Sequence, residues 1–178
     1  MLLAAVNSDR YNLLLTLHIA AVIAGFGPVF LNGVYASRAQ RIGGSEGIAL
    51  SEAVGHLSRR WAAPFQYAVF VLGVLLVLDS NVPVRHEHAW TFGQVWLTLS
   101  MVIYVAVIAL EHAAYRPNEK RMIELQRQLL ELRPIPAGSS PPQVVELERR
   151  GVRASIIGAA LDLAVVAILA LMIWKPGF

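Results

Sequence analysis

The chain has 178 residues, 56% hydrophobic and only 15% charged, with a mean hydropathy of +0.55. Soluble domains carry about 25% charged residues, so composition argues against a freely soluble protein, and the absence of cysteine excludes disulfides, thiolate metal sites and cysteine nucleophiles. The net charge of +3 and the pI near 9.6 do not indicate nucleic acid, because the basic residues sit in loops between long apolar runs, where membrane topology accounts for them.

A helix needs roughly 20 mostly apolar residues to cross a hydrocarbon layer about 30 Å thick. Four segments answer to this: residues 13–35, 62–78, 92–114 and 152–174. The first is too long for the apolar core of a signal peptide, and its basic residues follow it rather than precede it. Gly25, Gly27 and Pro28 within it allow close helix contact and predict a kink. Residues 45–59 suit a short amphipathic helix in the first loop. The second span is the shortest, and Pro64 suits its first turn, where a missing N–H costs little. His86 and His88 fall in the next loop, and the third span closes on Glu111 and His112.

Residues 118–133 predict a further amphipathic helix. Asn118 caps it, Glu119 favours its first turn, and Met122, Leu125, Leu129 and Leu132 share one face. Such a helix docks on lipid headgroups or on the base of the bundle. Residues 134–142 form a stiff, turn-rich linker of proline, glycine and serine, and Pro142 then starts a helix running through Arg149, Arg150 and Gly151 into the fourth span.

Orientation follows from the Lys/Arg bias of the loops. The first loop holds Arg38, Arg41, Arg59 and Arg60. The third holds Arg116, Lys120, Arg121, Arg127, Arg133, Arg149, Arg150 and Arg153. The opposite side has Arg10, Arg85 and Lys175 alone. The fold expected is an all-α four-helix transmembrane bundle, one integral membrane domain over residues 1–178. Both ends lie outside, and amphipathic helices lie in the cytoplasm, chiefly in the loop 115–151.

Ionisable residues at membrane depth are costly and usually face the bundle interior. At 1.5 Å per residue, His18 lies about 7–8 Å below the outer boundary and Asp162 about 15 Å from the start of its span, near the midplane. Gly25 and Asn32 follow His18 at intervals of seven. Ser100, Tyr104, Glu111 and Tyr115 form a second polar stripe, and Ala154, Gly158 and Asp162 share a face of the fourth span. Together they predict an interior seam.

The first and fourth spans are antiparallel, so a direct or water-linked His18–Asp162 contact is geometrically open. His18 and His112 differ by roughly 20 Å in depth and cannot ligate one iron. His18 pairs with His86 or His88 if the outer loop folds inward, or His56 with His112 at the inner face. The plainer role for His18 is a hydrogen bond to a backbone carbonyl or to Asp162, and for Glu111 and His112 it is snorkelling to the interface. Phosphate loops, G-x-S-x-G and H-E-x-x-H are absent from the sequence.

Residues 17–30, with His18 and the Gly25-Phe26-Gly27-Pro28 run, the Arg59-Arg60 pair before Pro64, and the terminal stretch 171–178 resemble a bacterial domain-of-unknown-function family of small four-helix integral membrane proteins. That family is loosely related to copper-resistance-D-like proteins and to the membrane protoporphyrinogen oxidases of haem biosynthesis. The resemblance covers nearly the whole chain and implies a place in the bacterial inner membrane. In the oxidase group the first-span histidine is associated with haem. The resemblance therefore implies haem b on His18 and, through a looser correspondence, a role for His112. The third span has no lysine where the oxidase pattern has one, so the oxidase activity is not carried over.

Three functions remain open. One is a haem-b-binding or redox-linked protein using His18. Another is a small ion or metal permease using His18 and Asp162. The third is a non-catalytic subunit or scaffold that docks through the helix at 118–133, as a homo-oligomer or in a membrane complex.

Overall fold

The computed structural model describes residues 8–82, 87–132 and 141–177. Helix α1 (Asp9–Ile42) begins where the Ser8 hydroxyl accepts the Tyr11 N–H at 3.2 Å, and Asp9 supports its first turn. It ends at Gly43, whose φ of +63° is a conformation that glycine adopts without strain. Helix α2 (Gly44–Leu57) follows directly and runs through a π-turn at Ser58–Ala62 into α3 (Ala63–Leu78). A two-residue ladder follows at the end of the bundle away from α2, β1 (Asn81–Val82) antiparallel to β2 (Glu87–His88). Helix α4 (Val95–Leu110) passes through a second π-turn, Glu111–Tyr115, into α5 (Arg116–Glu131), and α6 (Pro142–Trp174) completes the fold.

Four continuous helices result: Asp9–Ile42, Gly44–Leu78, Val95–Glu131 and Pro142–Trp174, all long and apolar enough to cross a membrane. The protein is an all-α membrane bundle. At 1.5 Å per residue each helix is about 50 Å long, well beyond the ~30 Å hydrocarbon layer. The surplus lies at the arginine-rich end, where α2, α5 and the first turns of α6 pack together.

This continuity corrects two expectations. Pro64 stands in the first turn of α3, as expected, but α3 continues the helical run of α2, and Asn118 does not cap a helix; both lie within unbroken helical runs. A proline inside a helix removes one N–H and crowds the carbonyl four residues back. Here Pro64 and Pro117 each follow closely on a π-turn, where an inserted residue relieves the ladder. Asn118 is buried and bridges to α6 instead. Its Nδ2 donates to the Arg150 carbonyl at 3.0 Å, and Arg150 Nη1 donates to its Oδ1 at 3.2 Å. The third span starts at Val95 rather than at 92.

The amphipathic helix expected at 118–133 is present as α5 and docks on the bundle base against α2 and α6, with Leu125 buried. Leu132 falls just past its end and is exposed. The helix expected at 45–59 corresponds to α2, and Pro142 opens α6 as expected. Of the linker, residues 134–140 lie outside the described residues.

The most extensive pairing is α1 with α3, followed equally by α1 with α2 and α4 with α6, while α1 and α6 touch sparsely. One core draws on all four spans through Ala21, Phe26, Val69, Tyr104, Val107, Leu161 and Val165. Near the end that holds both chain termini a smaller cluster of Val77, Trp96 and Leu97 carries an aromatic clasp. The Lys175 ammonium stands 3.9 Å over the Trp90 ring, Trp90 meets Trp96 edge-on at 5.6 Å, and Trp90 Nε1–H donates to the Tyr11 hydroxyl at 2.8 Å. The clasp ties the start of α1 to the end of α6. Trp90→Ala removes a cation–π contact, an aromatic pair and a hydrogen bond, an expected loss of about 2–3 kcal/mol. An unchanged melting temperature in detergent would show that the clasp contributes nothing.

Candidate functional site

The sparse contact between α1 and α6 leaves a cleft of about 340 Å³ that runs from the arginine-rich end into the membrane layer. Asn32 lines it from α1, Ser58 and Arg59 from the first π-turn, and Glu111 and Tyr115 from the second. Asp162 lines it from α6. Small residues make the space: Gly33 and Ala36 on α1 face Ala154 and Gly158 on α6.

The charges in the cleft are unevenly balanced. Arg116 donates to Glu111 Oε1 through Nη2 at 2.9 Å and Nε at 3.1 Å. Arg59 Nη1 lies 3.4 Å from Glu119 Oε2, and this pair rests on Gly55, where a Cβ would come within 2.8 Å of the guanidinium. Burial raises the Glu119 carboxyl above the ordinary range, and Arg59 and then Arg116 pull it back. Two acids thus face two arginines. Asp162 is the third acid. Its Oδ1 is buried and has no protein hydrogen-bond partner, and among the cleft-lining residues no third cation faces it. Tyr115 is close enough to Glu119, Asp162 and Glu111 to sense all three.

The two polar stripes read from the sequence fare differently. Ser100, Tyr104 and Glu111 are all buried on the third span, as the spacing predicts. On α1, Asn32 faces the cleft but His18 does not. The His18 ring lies on α3, beside the Val69 backbone, with its Cε1 3.3 Å from where a Gly73 Cβ would stand. The expected His18–Asp162 seam is therefore not assembled: His18 faces the second span, and Asp162 opens into the α1–α6 cleft.

Glu111 does not snorkel. It is only 7% exposed and is held by Arg116, one turn on. His112 spends both ring nitrogens locally. Nδ1 lies 2.8 Å from the Ile108 carbonyl, which can only accept, so in the neutral ring Nε2 accepts from the Tyr67 hydroxyl at 2.8 Å. His56 is exposed on α2 and is not brought to His112. His86 and the side chain of His88 lie outside the described residues. No group of three or more potential metal ligands occurs among the described residues.

Sequence reasoning missed Gln66. This glutamine is 1% exposed at the α1–α3 contact, and its Nε2 reaches the Gly25 carbonyl at 3.4 Å. The Tyr104 hydroxyl donates to the Gln66 backbone carbonyl. A signal was present, since Gln66 is the single amide in the apolar run of α3.

The chain matches no curated protein and no solved structure. A family model described as a predicted integral membrane protein matches residues 12–176, nearly the full length. With four apolar helices and that match, the chain belongs to the family of predicted integral membrane proteins DUF2269.

Proposed function

We propose that the protein is a small-ion permease of the bacterial inner membrane, with both ends outside, in which a monovalent cation enters the cleft from the cytoplasm and is held at Asp162. The observation that carries this reading is the unpartnered Asp162 carboxylate in a cleft whose other acids are matched by arginines. A carboxylate at mid-bilayer costs about 2.5–3.5 kcal/mol on insertion scales. That cost is sustained when the group faces an aqueous entry and meets a cation there. The arginine-rich helix ends on either side fit a cytoplasmic opening.

The experiment is cation flux into liposomes reconstituted with the purified protein. Asp162→Asn keeps size and hydrogen bonding but removes the charge, and it is expected to lower flux about tenfold or more, a loss of about 1.4 kcal/mol in transition-state terms. Flux equal to that of the parent protein would remove Asp162 from the function.

A haem on His18 fits this arrangement less well. Both His112 nitrogens are engaged, and a porphyrin on His18 needs the ring to leave Gly73 and Val69. The unpartnered His18 Nδ1 is the observation in its favour. Protein purified from cells supplied with haem decides it: a Soret band would support this second reading over the first.

A further inference from the structure

The cleft between α1 and α6 changes character along its length. Its lining positions recur at helical spacing from Val29 to Gln40 on α1 and from Gly151 to Asp162 on α6. The first and last of the four spans run antiparallel, so Gln40 and Gly151 stand at one end, Val29 and Asp162 at the other. Each stripe covers about 16 Å at 1.5 Å per residue. Ser37, Gln40 and Ser155 make the arginine-rich end polar. At the level of Asp162 the lining turns to Val29, Ala159 and Leu161, with Gly158 one turn back.

Two further features belong to this deeper end. Asp162 Oδ1 is buried with no hydrogen-bond partner in the protein. Tyr115 lines the same space and adds an aromatic ring to it.

A metal ion finds few ligands here. Hard cations take six or more oxygens. Asp162 with Asn32 and Tyr115 falls short of that, and Val29, Gly158, Ala159 and Leu161 add no side-chain oxygen. The backbone carbonyls at this level are committed within the helices. The space is also large for a bare ion. At about 30 Å³ per water its 340 Å³ equals about ten water volumes, which lies within the range of small-molecule sites.

We propose that the monovalent cation held at Asp162 is an organic ammonium, its apolar body of about ten non-hydrogen atoms seated against Val29, Gly158 and Leu161. This names the substrate class of the site read above as a cation entry, and it rests on that reading. An alkyl-substituted ammonium needs no shell of oxygens. Its single charge meets the single unmatched carboxylate, since Arg116 and Arg59 already hold Glu111 and Glu119. The ring of Tyr115 attracts such a cation through its π-face. The carbon atoms of the ligand leave water for the apolar walls, a favourable transfer that a hydrated metal ion cannot make.

The test uses the full chain in vesicles of phosphatidylethanolamine and phosphatidylglycerol, driven by an interior-negative potassium–valinomycin potential. The probe is radiolabelled benzyltrimethylammonium, which is permanently charged and so does not cross lipid as a neutral base. Labelled sodium is the comparison, and protein-free vesicles set the background. Parent protein is expected to take up benzyltrimethylammonium in preference to sodium. Nothing lies within 4 Å of a Cβ at Gly158, so a leucine there enters the empty cleft rather than a packed contact. Gly158→Leu, confirmed as monodisperse in detergent, is expected to lower benzyltrimethylammonium uptake about tenfold or more by overfilling the seat. Uptake at the parent rate in this variant overturns the proposed seat. Sodium carried as readily as the ammonium, and lost in Asp162→Asn, overturns the ammonium assignment while leaving the cleft reading intact. Uptake of either cation that is unaffected in Asp162→Asn overturns the cleft reading and the ammonium site with it. No uptake of either overturns both. If Gly158→Leu does not fold, the preference of the parent protein between the two cations decides the matter alone.

Discussion

Gly25→Leu is expected to leave no folded bundle, whereas Gly27→Ala, two residues along the same helix, is expected to melt with the parent protein. The contrast comes from what each added Cβ would meet. At Gly25 it would stand 2.9 Å from the Gln66 backbone nitrogen and 3.2 Å from the Phe65 carbonyl carbon, and backbone of a packed helix cannot move aside as a side chain can. At Gly27 nothing lies within 4 Å. Overpacking a tight contact costs about 1–3 kcal/mol for small additions, so Gly25→Ala should already lower the melting temperature, and leucine should separate α1 from α3. In a bilayer no hydrophobic force between helices compensates, because lipid tails are as apolar as leucine, and close packing itself holds helices together. Thermal melts of Gly25→Ala and Gly27→Ala in the same detergent check this. Indistinguishable curves would mean that the α1–α3 contact is not a main source of stability.

Arg116→Met is expected to destabilise the arginine-rich end of the bundle by about 3 kcal/mol, and adding Glu111→Gln is expected to restore most of the loss. Both guanidinium donors converge on Glu111 Oε1, and the side chains are 18% and 10% exposed, so neither charge is well solvated. Methionine retains the apolar length of arginine but strands the carboxylate. Glutamine then removes the stranded charge at nearly constant shape. Unfolding midpoints of the two single variants and the double variant form a cycle. If the two losses merely add, the pair is not coupled and Glu111 is held by something else. By contrast, the Arg10–Asp79 pair at the opposite end, with Arg10 77% exposed, belongs with surface pairs that contribute little.

Much of this architecture is legible in the sequence, because the bilayer imposes length and polarity so strictly. The four spans, the buried stripe of Ser100, Tyr104 and Glu111, and the docked face around Leu125 all follow from hydropathy and helical spacing. What stays hidden depends on which helix faces which. His18 and Gly25 lie seven apart, and so do Gln66 and Gly73, but neither pair means much until the two helices are set antiparallel. Without that register, Asp162 looks as good a neighbour for His18 as α3 does. Pro64 and Asn118 mislead for a related reason. Each has the same local chemistry whether it begins a helical run or sits just past a π-turn within one. The choice is made by packing of α2 and α5 at the base, which holds the helical runs continuous.

The tight turn at Gly43 and Gly44, both at positive φ, has a consequence for how the protein reaches its membrane. It leaves almost no loop between α1 and α2, and Gly47 lies so close to Ala39 that a Cβ there would collide with its carbonyl. The first two spans are therefore joined as a hairpin as soon as both have been synthesised. Alone, the first span would expose His18 to lipid, and the second would expose Gln66. Closed as a hairpin, each hides its polar group on the other's glycine, so the pair presents a more apolar surface than its halves and is suited to partition from the insertion machinery into lipid as one unit.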